Sequence, residues 1–88
     1  MNRPRRVSEL RNIGTLIASR LHEIGVDTEE DLRSMGAVEA HRRIKDNYPD
    51  KTLSVCYYLY SFEAALRDIH WDDLSNLEKE ALKKKASE

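Results

Sequence analysis

The stretch LRNIGTLIASRLHEIG, residues 10–25, holds the residues with the plainest chemistry: Gly14, the flanking Arg11 and Arg20, and a second glycine, Gly25. A tight turn feeding a helix leaves that helix's first main-chain amides without partners. The positive end of the helix dipole lies at the same place, and a residue without Cβ lets a phosphate oxygen come close to the backbone. In this pattern Gly14, Thr15 and Leu16 supply amides, while Arg11, Asn12 and Arg20, with an arm of Arg3, Arg5 and Arg6, surround them. The chemistry is anion binding; for a nucleic acid it means contact with the backbone and little sequence preference. The plainer account makes Gly14 turn punctuation and the arginines the solvating charges of a chain end.

Other reactive side chains are present without a reactive pattern. His22, His41, His70 and Cys56 are of the types that bind zinc or form Cys/His pairs, yet no C-x-x-C, H-x-x-x-H or H-E-x-x-H spacing occurs. Cys56 reads as a small buried hydrophobe and His41 as a surface or half-buried ring. His70 suits the carbonyls ending a long helix, or a nearby acid. Asp72 and Asp73 are adjacent and point apart. There is no phosphate loop and no dinucleotide fingerprint. The expectation is a protein without catalytic residues, metal or cofactor.

Composition narrows the class. The chain has 88 residues, 40% hydrophobic and 35% charged, with three glycines, two prolines and one cysteine. That describes one small helical domain over residues 1–88, with a basic arm at 1–7 and a fraying tail at 83–88. No apolar run approaches the roughly 18 to 20 residues of a spanning helix, and MNRPRRVSEL lacks the apolar segment of a secretion signal. A cytoplasmic protein with no membrane contact is expected, and its lone cysteine suits a reducing compartment. The net charge of −1 argues against a simple basic nucleic-acid binder. Its distribution is uneven: residues 1–20 carry five arginines against Glu9, whereas residues 21–50 carry eight acids against four bases.

These residues must be positioned by helices. Ser8 is a candidate cap for a short first helix ending before Gly14. A second helix runs from about Thr15 to Ile24, with Leu16, Ile17, Leu21 and Ile24 as its apolar stripe and Gly25 beyond its end. Thr28 and Asp31 imitate a capping box for a third, which Gly36 ends. A fourth spans Ala37 to Asn47, with Ala37, Ala40 and Ile44 inward and Arg42, Arg43 and Lys45 largely outward. NYPDKT is a turn, after which Thr52 or Ser54 caps the longest helix, about Leu53 to Ile69. Val55, Leu59, Phe62, Leu66 and Ile69 form its core stripe, and Leu53, Tyr57, Tyr60 and Ala64 line the opposite face. That second face is either enclosed by other helices or open to a partner protein or a second copy. Ser75 and Glu78 form an S-x-x-E box opening a terminal helix that closes on Lys83–Lys85. The fold expected is an all-α bundle of five to six helices.

The opening segment resembles the helix-hairpin-helix pattern h-x-x-h-G-x-x-x-A-x-x-L-x-x-x-G, with Leu10, Ile13, Gly14, Ala18, Leu21 and Gly25 in the matching positions. It departs at Asn12, where that motif has another glycine; asparagine tolerates a left-handed backbone better than most residues. At larger scale, LRNIGTLIASRLHEIGVDTEEDLRSMGAVEAHRRIK followed by YLYSFEAALRDIHWDDL resembles the C-terminal domain of the TfoX/Sxy competence-regulator family. The resemblance implies a small helical fold with a helix-hairpin-helix-like (SAM-like) element. It also implies a link to regulation of DNA uptake and transformation genes in bacteria. Two functions follow as expectations. One is a regulatory domain touching the DNA backbone through the Gly14 turn. The other is an adaptor docking on a transcription component, another protein or itself through the Leu53, Tyr57, Tyr60 and Ala64 face.

Overall fold

The computed structural model describes residues 5–50 and 56–87, with Cys56 and Tyr57 as backbone only. Five α-helices follow one another: α1 (Thr15–Glu23), α2 (Glu29–Met35), α3 (Ala37–Asn47), α4 (Ser61–Arg67) and α5 (Asn76–Ser87). Single 3-10 turns at Val7–Glu9 and Trp71–Asp73 precede α1 and α5, and a π-helical turn at Cys56–Tyr60 leads into α4. Among the described residues there is no strand, only an isolated antiparallel bridge between Arg6 and Thr28. Arg3, Thr52, Leu53, Ser54 and Val55, and the side chains of Cys56 and Tyr57, lie outside the described residues.

That bridge fixes how the chain begins. Val7 N–H donates to Asp27 O at 3.0 Å and Glu29 N–H to Arg5 O at 2.8 Å, so residues 5–7 lie extended along the α1–α2 loop rather than forming a free arm. Helical geometry starts only at Val7, which puts Arg6 at the cap position and Ser8 inside the turn. Ser8 therefore caps nothing, and the helix expected before Gly14 is a single 3-10 turn.

Each later helix is delimited by a local device. Thr28 Oγ1 accepts from Asp31 N–H at 3.1 Å and Asp31 Oδ2 from Thr28 N–H at 3.2 Å, completing the reciprocal box of α2. Gly36, at φ 87° and ψ 153°, both ends α2 and begins α3. That backbone region is open essentially to glycine alone. α4 stops at Asp68, held left-handed at φ 57°. Asp68 N–H donates to Ala65 O and Ile69 N–H to Ala64 O, a Schellman arrangement that satisfies the last carbonyls. The continuous Leu53–Ile69 helix of the sequence reading is thus divided: a π turn enters it, and it ends two residues early. Ser75 Oγ accepts from Glu78 N–H at 3.1 Å, as the capping pattern requires. The Glu78 carboxylate turns to Arg67 at 2.5 Å instead of closing the box. Lys83–Ser87 stay helical, so the tail expected to fray is part of α5.

The core gathers Ile17, Leu21, Val26, Leu32, Ile44, Leu59 and Phe62, all essentially removed from solvent. Each such side chain contributes roughly 1.5–3 kcal/mol, whereas exposed ion pairs add little, so apolar burial holds the bundle together. Leu16 is the exception on α1 at 53% exposed. At about 100° per residue Ile17 and Leu21 align toward the core and Leu16 falls to their side. Tyr60 and Ala64 are 7% and 0% exposed. Tyr60 and Ala64, the two residues of the second face whose side chains are described, are therefore enclosed by the domain itself and offer nothing to a partner. His41 is also a core residue, at 6% exposed, rather than a surface or half-buried ring.

Candidate functional site

The Gly14 turn forms in modified shape. Gly14 occupies the cap position of α1 with φ −85° and ψ 178°, an ordinary extended conformation, and no side chain caps the helix. The first intrahelical bond is Ala18 N–H to Gly14 O at 2.9 Å, so the amides before Ala18 have no acceptor within the helix. Gly14, Thr15 and Leu16 are exposed, and a Cβ built on Gly14 would meet no atom within 4 Å. Amide donors, an open approach and the positive end of a nine-residue helix coincide there.

The left-handed residue of the turn is Asn12, at φ 74°. Its side chain faces inward across the fold. Nδ2 donates to Ile69 O at 2.7 Å and Oδ1 accepts from Trp71 N–H at 3.2 Å. Asn12 thereby clamps the first turn to the segment joining α4 and α5, and does not join a phosphate contact. Trp71 packs against the core's edge. His70 Nδ1 accepts from Asp72 N–H at 3.1 Å, so this ring caps the Trp71–Asp73 turn and leaves the α4 carbonyls to Asp68 and Ile69. Lys79 holds the same corner from α5, its Nζ 3.0 Å from Asp72 Oδ1 and 5.2 Å from the centre of the Trp71 ring.

The arginines divide. Arg11 and Arg6 are exposed, with no ion pair among the described residues. Arg5 pairs with Glu29 at 2.9 Å, and this bond and charge raise its pKa. Arg20 lies two turns along α1, away from Gly14. Its guanidinium carbon stands 4.1 Å from the centre of the Tyr48 ring, Nη1 donates to the Tyr48 hydroxyl, and Glu23 lies 3.7 Å away. Tyr48 OH in turn donates to Glu23 Oε1 at 2.6 Å, which raises the phenol's pKa. Arg20 thus ties the end of α1 to the end of α3 and is spent on the fold. Of the expected anion site, Arg11, Gly14, Thr15 and Leu16 stay exposed at the start of α1, Arg6 is bridged to Thr28 on the α1–α2 loop, and Asn12, Arg20 and Arg5 take structural roles.

The histidines occupy three separate elements. His22 Nδ1 lies 2.5 Å from Asp27 Oδ1, and this partner raises its pKa. Both ring nitrogens of buried His41 lack a hydrogen-bond partner among the described residues, and burial, reinforced by the charge of Lys45, lowers its pKa. Among the described residues, no three His, Cys, Asp or Glu side chains form a metal-binding group, and no helix is long and apolar enough to cross a membrane.

Fold and site define a small all-α domain whose first full helix offers an uncapped N-terminus to solvent. The chain belongs to the TfoX C-terminal domain family, whose model matches residues 3–86. It is similar to an uncharacterized protein from Listeria monocytogenes, solved in a triclinic crystal, with 34% identity and a TM-score of 0.79 over 90% of this chain and 86% of that one. A tetragonal crystal form of a protein of unknown function from the same organism gives 35% identity and a TM-score of 0.79, covering 91% and 95% of the two chains. No curated protein matches the chain.

Proposed function

We propose that this domain is a non-enzymatic, cytoplasmic regulatory module linked to competence and DNA transformation, making low-specificity contact with the nucleic-acid backbone at the start of α1. The observation that carries this reading is the uncapped, sterically open N-terminus of α1 at Gly14, with the exposed Arg11 three residues before it and without a carboxylate partner among the described residues. Free amides and an exposed guanidinium group suit a phosphate, and neither reads a base edge here. An adaptor docking on a protein retains one feature, the exposed Leu16 beside the same amides, but loses Tyr60 and Ala64 to the core.

Fluorescence anisotropy of a labelled duplex, titrated at several salt concentrations, tests the reading. Wild-type protein should bind at low salt and weaken steeply as salt rises, and Arg11→Gln should lower the salt slope by about 0.9 for the one phosphate contact removed. No binding of single- or double-stranded DNA even at low salt leaves only the adaptor.

A further inference from the structure

We infer that His22 and Asp27 form a pH-sensitive clasp on the N-terminal strap, residues 5–7, which lies firmly along the α1–α2 loop while the imidazole is protonated and loosens as it becomes neutral. The inference stands apart from the nucleic-acid reading and uses none of the residues of the Gly14 turn. It starts from the way α1 ends. Gly25, left-handed at φ 85°, reverses the chain, and Val26 N–H returns to Leu21 O at 2.9 Å. The reversal carries Asp27 back to the last turn of α1, where its Oδ1 lies 2.5 Å from His22 Nδ1.

Asp27 is also where the strap is fastened. Its carbonyl accepts Val7 N–H at 3.0 Å, and its own N–H donates to Asp31 Oδ2 at 3.1 Å. Two residues on, Glu29 N–H donates to Arg5 O at 2.8 Å, and the Glu29 carboxylate meets the Arg5 guanidinium at 2.9 Å. One of the strap's two main-chain bonds thus ends on the residue whose side chain His22 holds. The imidazolium is favoured first by its bond to Asp27 and the charge of that carboxylate, then by Glu23 on its own helix, against desolvation. The negative end of α1 acts in the same direction. On α2, Asp31 accepts from the N–H groups of Asp27 and Thr28, and Glu29 pairs with Arg5 and Arg33. The charged pair is therefore complete below the ordinary imidazole value of 6.5 and is lost as pH rises through the raised one. Both partners face solvent, which screens them, so the clasp works as a graded adjustment. Loosening it frees Arg5 and Arg6 from the loop.

Amide hydrogen exchange of the whole chain, followed by NMR from about pH 5.5 to 8 and corrected for intrinsic exchange, tests the clasp. The readout is the protection of Val7 and Glu29, whose amides make the strap's two main-chain bonds. In the wild type it should fall about two- to threefold across this range, with its midpoint where the His22 ring protons titrate. His22→Gln and Asp27→Asn change exposed side chains, and a thermal melt checks that the fold persists. Each should flatten the pH dependence. Protection that stays constant across the range in the wild type, or a dependence that persists in either variant, overturns the clasp and leaves the Gly14 interface untouched.

Discussion

Replacing Asn12 by alanine should destabilise the domain far more than its half-buried, turn-borne position suggests. The side chain makes two hydrogen bonds, to Ile69 O at 2.7 Å and from Trp71 N–H at 3.2 Å, which link the first turn to the α4–α5 connection. Each is worth about 0.5–1.5 kcal/mol net. The residue also sits at φ 74°, where alanine costs roughly 1–2 kcal/mol. Together these terms give about 2–5 kcal/mol, a large part of the ~5–15 kcal/mol that holds a typical domain. Asn12→Gly removes the bonds but not the conformational freedom, so it should recover about 1 kcal/mol of that loss. Urea unfolding followed by far-UV circular dichroism measures all three proteins. An Asn12→Ala variant within ~0.5 kcal/mol of wild type, or a glycine variant less stable than the alanine one, would refute the clamp.

Other substitutions test separate parts of the account. Gly36→Ala should cost about 1–3 kcal/mol because φ 87° with ψ 153° is closed to a side chain, whereas Gly14→Ala, at φ −85°, should stay within ~1 kcal/mol of wild type by thermal melting. Arg20→Ala should lower the thermal midpoint by freeing Tyr48 and Glu23, yet leave the salt slope of duplex binding unchanged. The two perturbed histidines act in opposite directions. Buried His41, with its pKa lowered, stays neutral when the unfolded chain takes up a proton, so stability falls as pH drops below the ordinary value of ~6.5. Melts from pH 8 to 5 should show a smaller acid loss for His41→Leu than for wild type. His22 has its pKa raised by Asp27, so its pair stabilises fully below ~6.5 and is lost as pH rises through the raised value. His22→Asn should therefore be relatively worse at pH 5.5 than at pH 8 in the same melts.

Local signals were the most legible part of the sequence. Glycine at 36 and the alanine–isoleucine spacing gave α3 its observed bounds, Ala37–Asn47, and Thr28 with Asp31 announced the box that starts α2. Periodicity could not see the π turn at Cys56–Tyr60 or the left-handed Asp68, because an apolar stripe continues across a change of helical type. Leu16 was misplaced because apolar character alone does not say on which side of a stripe a residue falls. Asn12 looked like a departure from a glycine turn. Its real task depends on Ile69 and Trp71, nearly sixty residues away, and no local pattern carries that contact. For Arg20, the sequence could place a charge near the turn but not reveal that Tyr48 and Glu23 would hold it.

The claim on which the proposed function depends is that the open amides at the start of α1 hold a phosphate. Amide nitrogen–proton NMR spectra recorded during titration with a short duplex at low salt address it residue by residue. The resonances of Gly14, Thr15 and Leu16 should shift saturably, and Gly14→Ala should weaken those shifts without disturbing the fold. A duplex that binds while these three resonances stay still would contradict the account.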